Sequence, residues 1–175
     1  MALPTLFAGP IIRRVEKKQA SVWLAFSEAK TVTLKIWEGH SIKHNALPGA
    51  PLATGEATTK QFGNHLHIVL VTAKFDTAAV GFDPAKVYSY DITFSGGGLN
   101  SLGLLDNADV EGKKQLAIGY EKDFLPSFVL PGDTSDKLII AQGSCRKMHG
   151  HGEDALAHLD EAIKTDRSDP AKRIQ

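Results

Sequence analysis

The sequence predicts a mainly β chain that turns α/β near its C-terminal end, and three observations carry this. Short runs of alternating apolar and polar residues recur up to residue 131, with Gly, Pro and Asn between them. After residue 131 the pattern changes to a continuous apolar run, Leu138-Ile139-Ile140-Ala141, followed by glycines. Behind the glycines comes a segment of helical period. Two units are therefore expected, residues 1–131 and residues 132–175.

In chain order, residues 11–15 form a short first strand behind Pro10. Residues 21–26 alternate, with Val22, Leu24 and Phe26 on one face and Trp23 and Ala25 on the other. Residues 31–37 do the same, Val32, Leu34 and Ile36 opposing Thr33, Lys35 and Trp37. A polar stretch with Pro48, Gly49 and Pro51 interrupts, and strands resume at residues 66–75, 87–94 and 124–130. Several short antiparallel strands with turn signals between them suit a β-sandwich of immunoglobulin or fibronectin type III kind, in which Tyr88 and Tyr90 stand where a tyrosine corner is expected. Trp23 is expected in the core or at the contact to the following unit. Trp37, at a strand end beside Glu38 and Gly39, is expected to be partly exposed.

Residues 96–120 fit no strand of a minimal sandwich. Gly96-Gly97-Gly98 marks a loop, because three glycines carry a large backbone entropy cost. A phosphate-binding loop is the alternative, but no Gly-Lys-Ser or Gly-Lys-Thr ending follows. Leu102, Leu104 and Leu105 are placed either over the sandwich edge or against a following domain.

Leu138 to Ala141 reads as a strand covered on both faces, since parallel strands between helix layers do not alternate. Gly150 and Gly152 break the chain, and Glu153 and Asp154 then open a helix at its positive dipole end. Ala155, Leu156, Leu159, Ala162 and Ile163 form one face of it. A parallel unit needs a second strand beside the first, and residues 165–175 are polar and contain Pro170. The strand edge and helix face are thus expected to be exposed and open to self-association.

Twenty basic and twenty acidic residues balance, which gives no drive toward nucleic acid or an anionic membrane. No apolar run approaches bilayer length, and the N-terminus lacks the basic and apolar regions of a signal peptide, so a cytoplasmic location is expected. Arg13-Arg14 resembles a twin-arginine signal only in the pair itself, because a Lys- and Glu-bearing segment follows. The single cysteine excludes an internal disulfide.

That cysteine, Cys145, stands where chemistry collects in α/β sheets, beyond the carboxyl end of the 138–141 run. Three readings compete. Cys145, His149 and His151 have a spacing that suggests zinc, yet a structural site takes four ligands and only three are local. A nucleophilic thiolate beside Arg146 lacks the Cys, five residues, Arg spacing of cysteine phosphatases, since position 151 is His. The third reading is a small buried hydrophobe. His65 and His67 alternate in a strand and read as a solvated face, while His40 and His44 lie in a loop with no neighbouring carboxylate cluster.

Gly9-Pro10-Ile11-Ile12-Arg13-Arg14-Val15, Ser21-Val22-Trp23-Leu24-Ala25, Leu125-Pro126-Ser127-Phe128-Val129-Leu130-Pro131 and Gly143-Ser144-Cys145-Arg146-Lys147-Met148-His149-Gly150 appear in the order of landmarks in a known family. The chain resembles PhoD-like phosphatases, the alkaline phosphatase D group of metallophosphoesterases. The resemblance implies an N-terminal β-sandwich followed by the first strand and helix of a truncated α/β metallophosphoesterase domain. It implies metal-dependent hydrolysis of phosphate mono- or diesters, with Cys145 as a metal ligand and divalent or trivalent ions, iron and calcium among them, as cofactors. The Gly-Asp-x-x-Tyr motif and the later Asn, Asp and His ligands of the family are not in this sequence. The chain is therefore expected to be an N-terminal portion that binds no metal stably and is inactive alone. The alternative is a noncatalytic β-sandwich binding or interaction module.

Overall fold

The computed structural model describes residues 3–110, 113–115, 117–134, 138–142 and 155–174. Alternating β-branched and aromatic residues suit a pleated surface with one dry face, and they build a mainly β molecule. Its strands are β1 (Leu6–Glu16), β2 (Gln19–Phe26), β3 (Thr31–Glu38), β4 (Ala53–Thr58), β5 (Lys60–Gly63), β6 (Leu66–Lys74), β7 (Val87–Phe94), β8 (Gly97–Gly98), β9 (Ala108–Val110), β10 (Lys113–Gln115) and β11 (Ser127–Val129). One antiparallel sheet runs in the order β1-β2-β6-β4-β3-β7-β11, with β5 on β6 and β8 on β7. The sheet nearly closes on itself, and β1 and β11 are its two edges. β9 and β10 form a separate hairpin.

β4 is the joint of the closure. It pairs with β3 from Ala53↔Ile36 to Thr58↔Thr31, and touches β6 at Thr54↔Lys74. The two backbones come so close that a Cβ on Gly55 would lie 1.8 Å from the Thr72 carbonyl oxygen. Only glycine permits that approach.

The inner face carries the residues that alternation selects. Val22, Leu24 and Phe26 of β2, Val32, Leu34 and Ile36 of β3, and Val69 and Val71 of β6 are buried, opposite Tyr88, Tyr90, Ile92 and Phe94 of β7. At one end Phe82 sits edge-on to Phe75, Tyr88 and Phe128, with centroids 4.7, 4.6 and 5.4 Å away. Edge-to-face geometry suits the ring quadrupoles. The Tyr88 hydroxyl accepts a hydrogen bond from the Asp83 N–H at 2.7 Å, a contact from strand start back to the preceding corner. Tyr90 makes no such bond among the described residues.

Residues 96–120 are more than a loop. Leu99 and Leu105 are fully buried, and Leu102, Leu104 and Ile118 pack against the same core. These leucines pack on the core of the sheet, and Leu105 belongs to it.

Two expectations are corrected. The assignment of Trp23 and Trp37 is inverted, because the dry face of β2 is the Val22 face. Trp23 is half-buried on the outer face, between Ile11 and Leu70 in register. Trp37 is only 3% exposed, since residues 39–52 fold back over the outer face of β3 and its indole N–H donates to the Gly49 carbonyl at 2.9 Å. Second, residues 138–142 form no strand. Ile140 is 70% exposed, and no strand among the described residues pairs with this stretch. The helix does form, as α1 (Ala155–Asp166). No helix among the described residues is long and apolar enough to cross a membrane.

Candidate functional site

Cys145, His149 and His151, the residues that the sequence marks for metal chemistry, lie outside the described residues. Among the described residues no group of three or more His, Cys, Asp or Glu side chains is placed to hold a metal ion. His65 and His67 do not share a face. His65 lies in the turn before β6, whereas His67 is buried on the inner side opposite Phe26.

His44 does meet carboxylates, contrary to expectation. Its Nε2 lies 3.7 Å from Asp123 Oδ1, and its backbone N–H donates to the Asp123 carbonyl at 3.0 Å. Lys43 and Phe124 form the adjoining bridge, with the Lys43 ammonium 5.5 Å from the Phe124 ring centroid. Asp91, on the outer face of β7 opposite Lys35, completes the group. These side chains come from segments far apart in the chain, so spacing alone gave no signal of them.

Burial holds the Asp91 carboxyl above its ordinary value, against the pull of the Ile92 N–H, His44 and Lys35. A raised carboxyl favours the folded state fully below the unfolded pKa, and that contribution is lost as pH rises through the folded pKa. Asp91→Asn keeps the acceptor for Ile92 without the charge. It is expected to stabilise the chain at pH 7, with the gain vanishing below about pH 3.8, the unfolded value. Urea titrations at both pH values check this. A loss at pH 7 would mean that attraction to Lys35 and His44 outweighs desolvation.

A cleft opens at the seam of the sheet. Its space of about 220 Å³ is lined by Pro10 of β1, Tyr90 of β7, Ser127 of β11, Pro126, Ile118, Gly119 and Tyr120, with Ile163 and Arg173 from the C-terminal segment. Arg173 is only 7% exposed and donates to the carbonyls of Ser127 and Arg167. Burial lowers its pKa, and no carboxylate faces it among the described residues. Arg167 is engaged by Glu121. The Tyr120 hydroxyl donates to Asp160 Oδ1 at 2.9 Å, and burial, reinforced by that carboxylate, pushes the phenol up to about 12. Tyr90 is buried and its phenol is raised by desolvation, with the Arg173 charge acting in the opposite direction. Its hydroxyl has no hydrogen-bond partner among the described residues.

Comparison with protein-family models, with curated proteins and with solved structures gives no match.

Proposed function

We propose that this chain is the N-terminal portion of a PhoD-like metal-dependent phosphatase, a β-sandwich unit leading into the first helix of a metallophosphoesterase domain. The observation that carries the reading is the Ser144-Cys145-Arg146-Lys147-Met148-His149-Gly150 run, standing in family order behind the β strands. The antiparallel order is compatible with the sandwich part, since among the described residues β1, β2, β6 and β5 meet β4, β3, β7 and β11 of the same sheet only through the Thr54↔Lys74 pair. The Tyr88 contact to Asp83 supports it too, because a tyrosine at the start of such a strand that bonds back to the corner backbone is a mark of immunoglobulin-like sandwiches. Cys145 would supply one thiolate to a metal pair. Two metals must clamp both the attacking and the leaving oxygen of a phosphate ester, so further ligands are required.

The chain by itself is expected to hydrolyse p-nitrophenyl phosphate and its bis ester no faster than background, with or without iron and calcium. Turnover that a chelator abolishes would overturn the fragment reading. In the full-length protein, Cys145→Ala is expected to lower bound metal and activity together. Unchanged metal content would remove Cys145 from the site.

The second reading, a noncatalytic interaction module, is favoured by one observation. Ile11, Trp23 and Leu70 stand side by side across β1, β2 and β6 on the outer face, with Ile11 and Leu70 exposed. An apolar row of this kind on a sheet face suits a protein contact.

A further inference from the structure

We propose that the seam cleft between β1 and β11 binds a small monocarboxylate with a short apolar body, held by Arg173 and Tyr90. The reading rests on two nearly buried polar side chains that line the cleft, Arg173 and Tyr90. Among the described residues the nearly buried Arg173 guanidinium meets backbone carbonyls and no carboxylate, and desolvation of such a charge is offset best by a good partner. Arg173 has five N–H donors and uses some of them on the Ser127 and Arg167 carbonyls. The donors of a guanidinium lie in a planar fork whose geometry matches a carboxylate. Tyr90, a nearly buried residue on the strand next to β11, lines the cleft, and its hydroxyl has no hydrogen-bond partner among the described residues.

The surroundings limit the charge and shape of the ligand. Glu121 already engages Arg167, the other nearby cation. Asp160 is held at the cleft by Tyr120 and repels a second negative charge. Among the described residues Arg173 is the one charged side chain lining the cleft, and the Asp160 carboxylate beside it disfavours a dianion such as phosphate. The remaining walls, Pro10, Ile118, Pro126 and Ile163, are apolar. A space of about 220 Å³ exceeds what a bare carboxylate fills, so a short hydrocarbon body completes it. Nothing in this inference depends on the phosphatase reading.

The test is an NMR titration of the whole chain at constant ionic strength, with pentanoate as probe and pentanamide and inorganic phosphate as comparisons. Pentanoate is expected to saturate in the millimolar range that a ligand of this size reaches. It should shift the amides of Gly119, Tyr120 and Ser127 and the Arg173 Nε–H signal. Pentanamide and phosphate should bind about tenfold more weakly or worse. Tyr90→Phe keeps the ring and removes the donor, and should weaken pentanoate about tenfold, as loss of a hydrogen bond to a charged group does. Arg173→Met should abolish binding. If Arg173→Met fails to fold, Tyr90→Phe still decides. Absence of saturable shifts, phosphate binding as tightly as pentanoate, or an unchanged affinity in Tyr90→Phe would each overturn the proposal.

Discussion

Trp37→Ala is expected to destabilise the fold by about 3–5 kcal/mol, the range for removing a buried aromatic side chain, and Trp23→Ala by clearly less. Trp37 is buried under residues 39–52, and its indole N–H is the donor that holds the Gly49 carbonyl. Alanine leaves a cavity and an acceptor without its partner at once. The damage should spread, because the same connection brings Ile42 into the core and its carbonyl to the Leu125 N–H. Trp23 contributes only its contact with Ile11 and Leu70 on a face that is partly wet. Urea titrations of the two variants give the order directly. A larger loss for Trp23→Ala would mean that the outer face of β2 is covered in solution.

Gly55→Ala is expected to cost about 3 kcal/mol or more, at or beyond the upper end of ordinary overpacking. The added Cβ would meet the Thr72 carbonyl oxygen at 1.8 Å and its carbon at 2.5 Å. Both obstacles are backbone, so no rotamer change relieves them and β4 must move away from β6. Gly63→Ala is the control. Its Cβ would have no neighbour nearer than 4.0 Å, its φ is ordinary, and the substitution should be neutral or slightly stabilising. Thermal melts of the two variants compare them. Equal midpoints would show that β4 is not locked against Thr72.

Where one face of a strand is dry and the other wet, the sequence made the strand legible. β2, β3, β6 and β7 all lie close to their expected bounds for that reason. β4 and β5 escaped notice because Thr, Gly, Glu, Lys and Gln dominate them, and in β4 only Ala53 is buried. Their place is set by partners in β3 and β6, which local pattern does not report. The two tryptophans failed for a related reason. Alternation sorts side chains into two faces, but whether the outer face is also covered depends on a loop that folds back, here residues 39–52. The same holds for the leucines between residues 99 and 105. Leu138 to Ala141 failed in the opposite way, since an apolar run becomes a strand only beside another strand.

Of the candidate sites, the one centred on Cys145 rests wholly on sequence. The seam cleft was invisible there, because Pro10, Tyr90, Tyr120 and Arg173 converge only after the sheet curls. Arg173 carries no signal in a polar C-terminal stretch. It becomes notable only when found buried, with backbone carbonyls as its partners.

The order of strands in the sheet also sets how fast it can assemble. The β1–β2, β3–β4 and β5–β6 pairs are neighbours along the chain and can form early, within microseconds. The pairs that close the sheet are not local: Val22 must find Val71, and Leu34 must find Ile92. Even the Lys17-Lys18 turn is finished from afar, by the N–H groups of Phe82 and Phe75. Loop-closure entropy must be met before any of these contacts gives a return, so refolding should proceed in milliseconds to seconds. During that interval the early hairpins keep unpaired edges, and the chain is most exposed to association with its own copies.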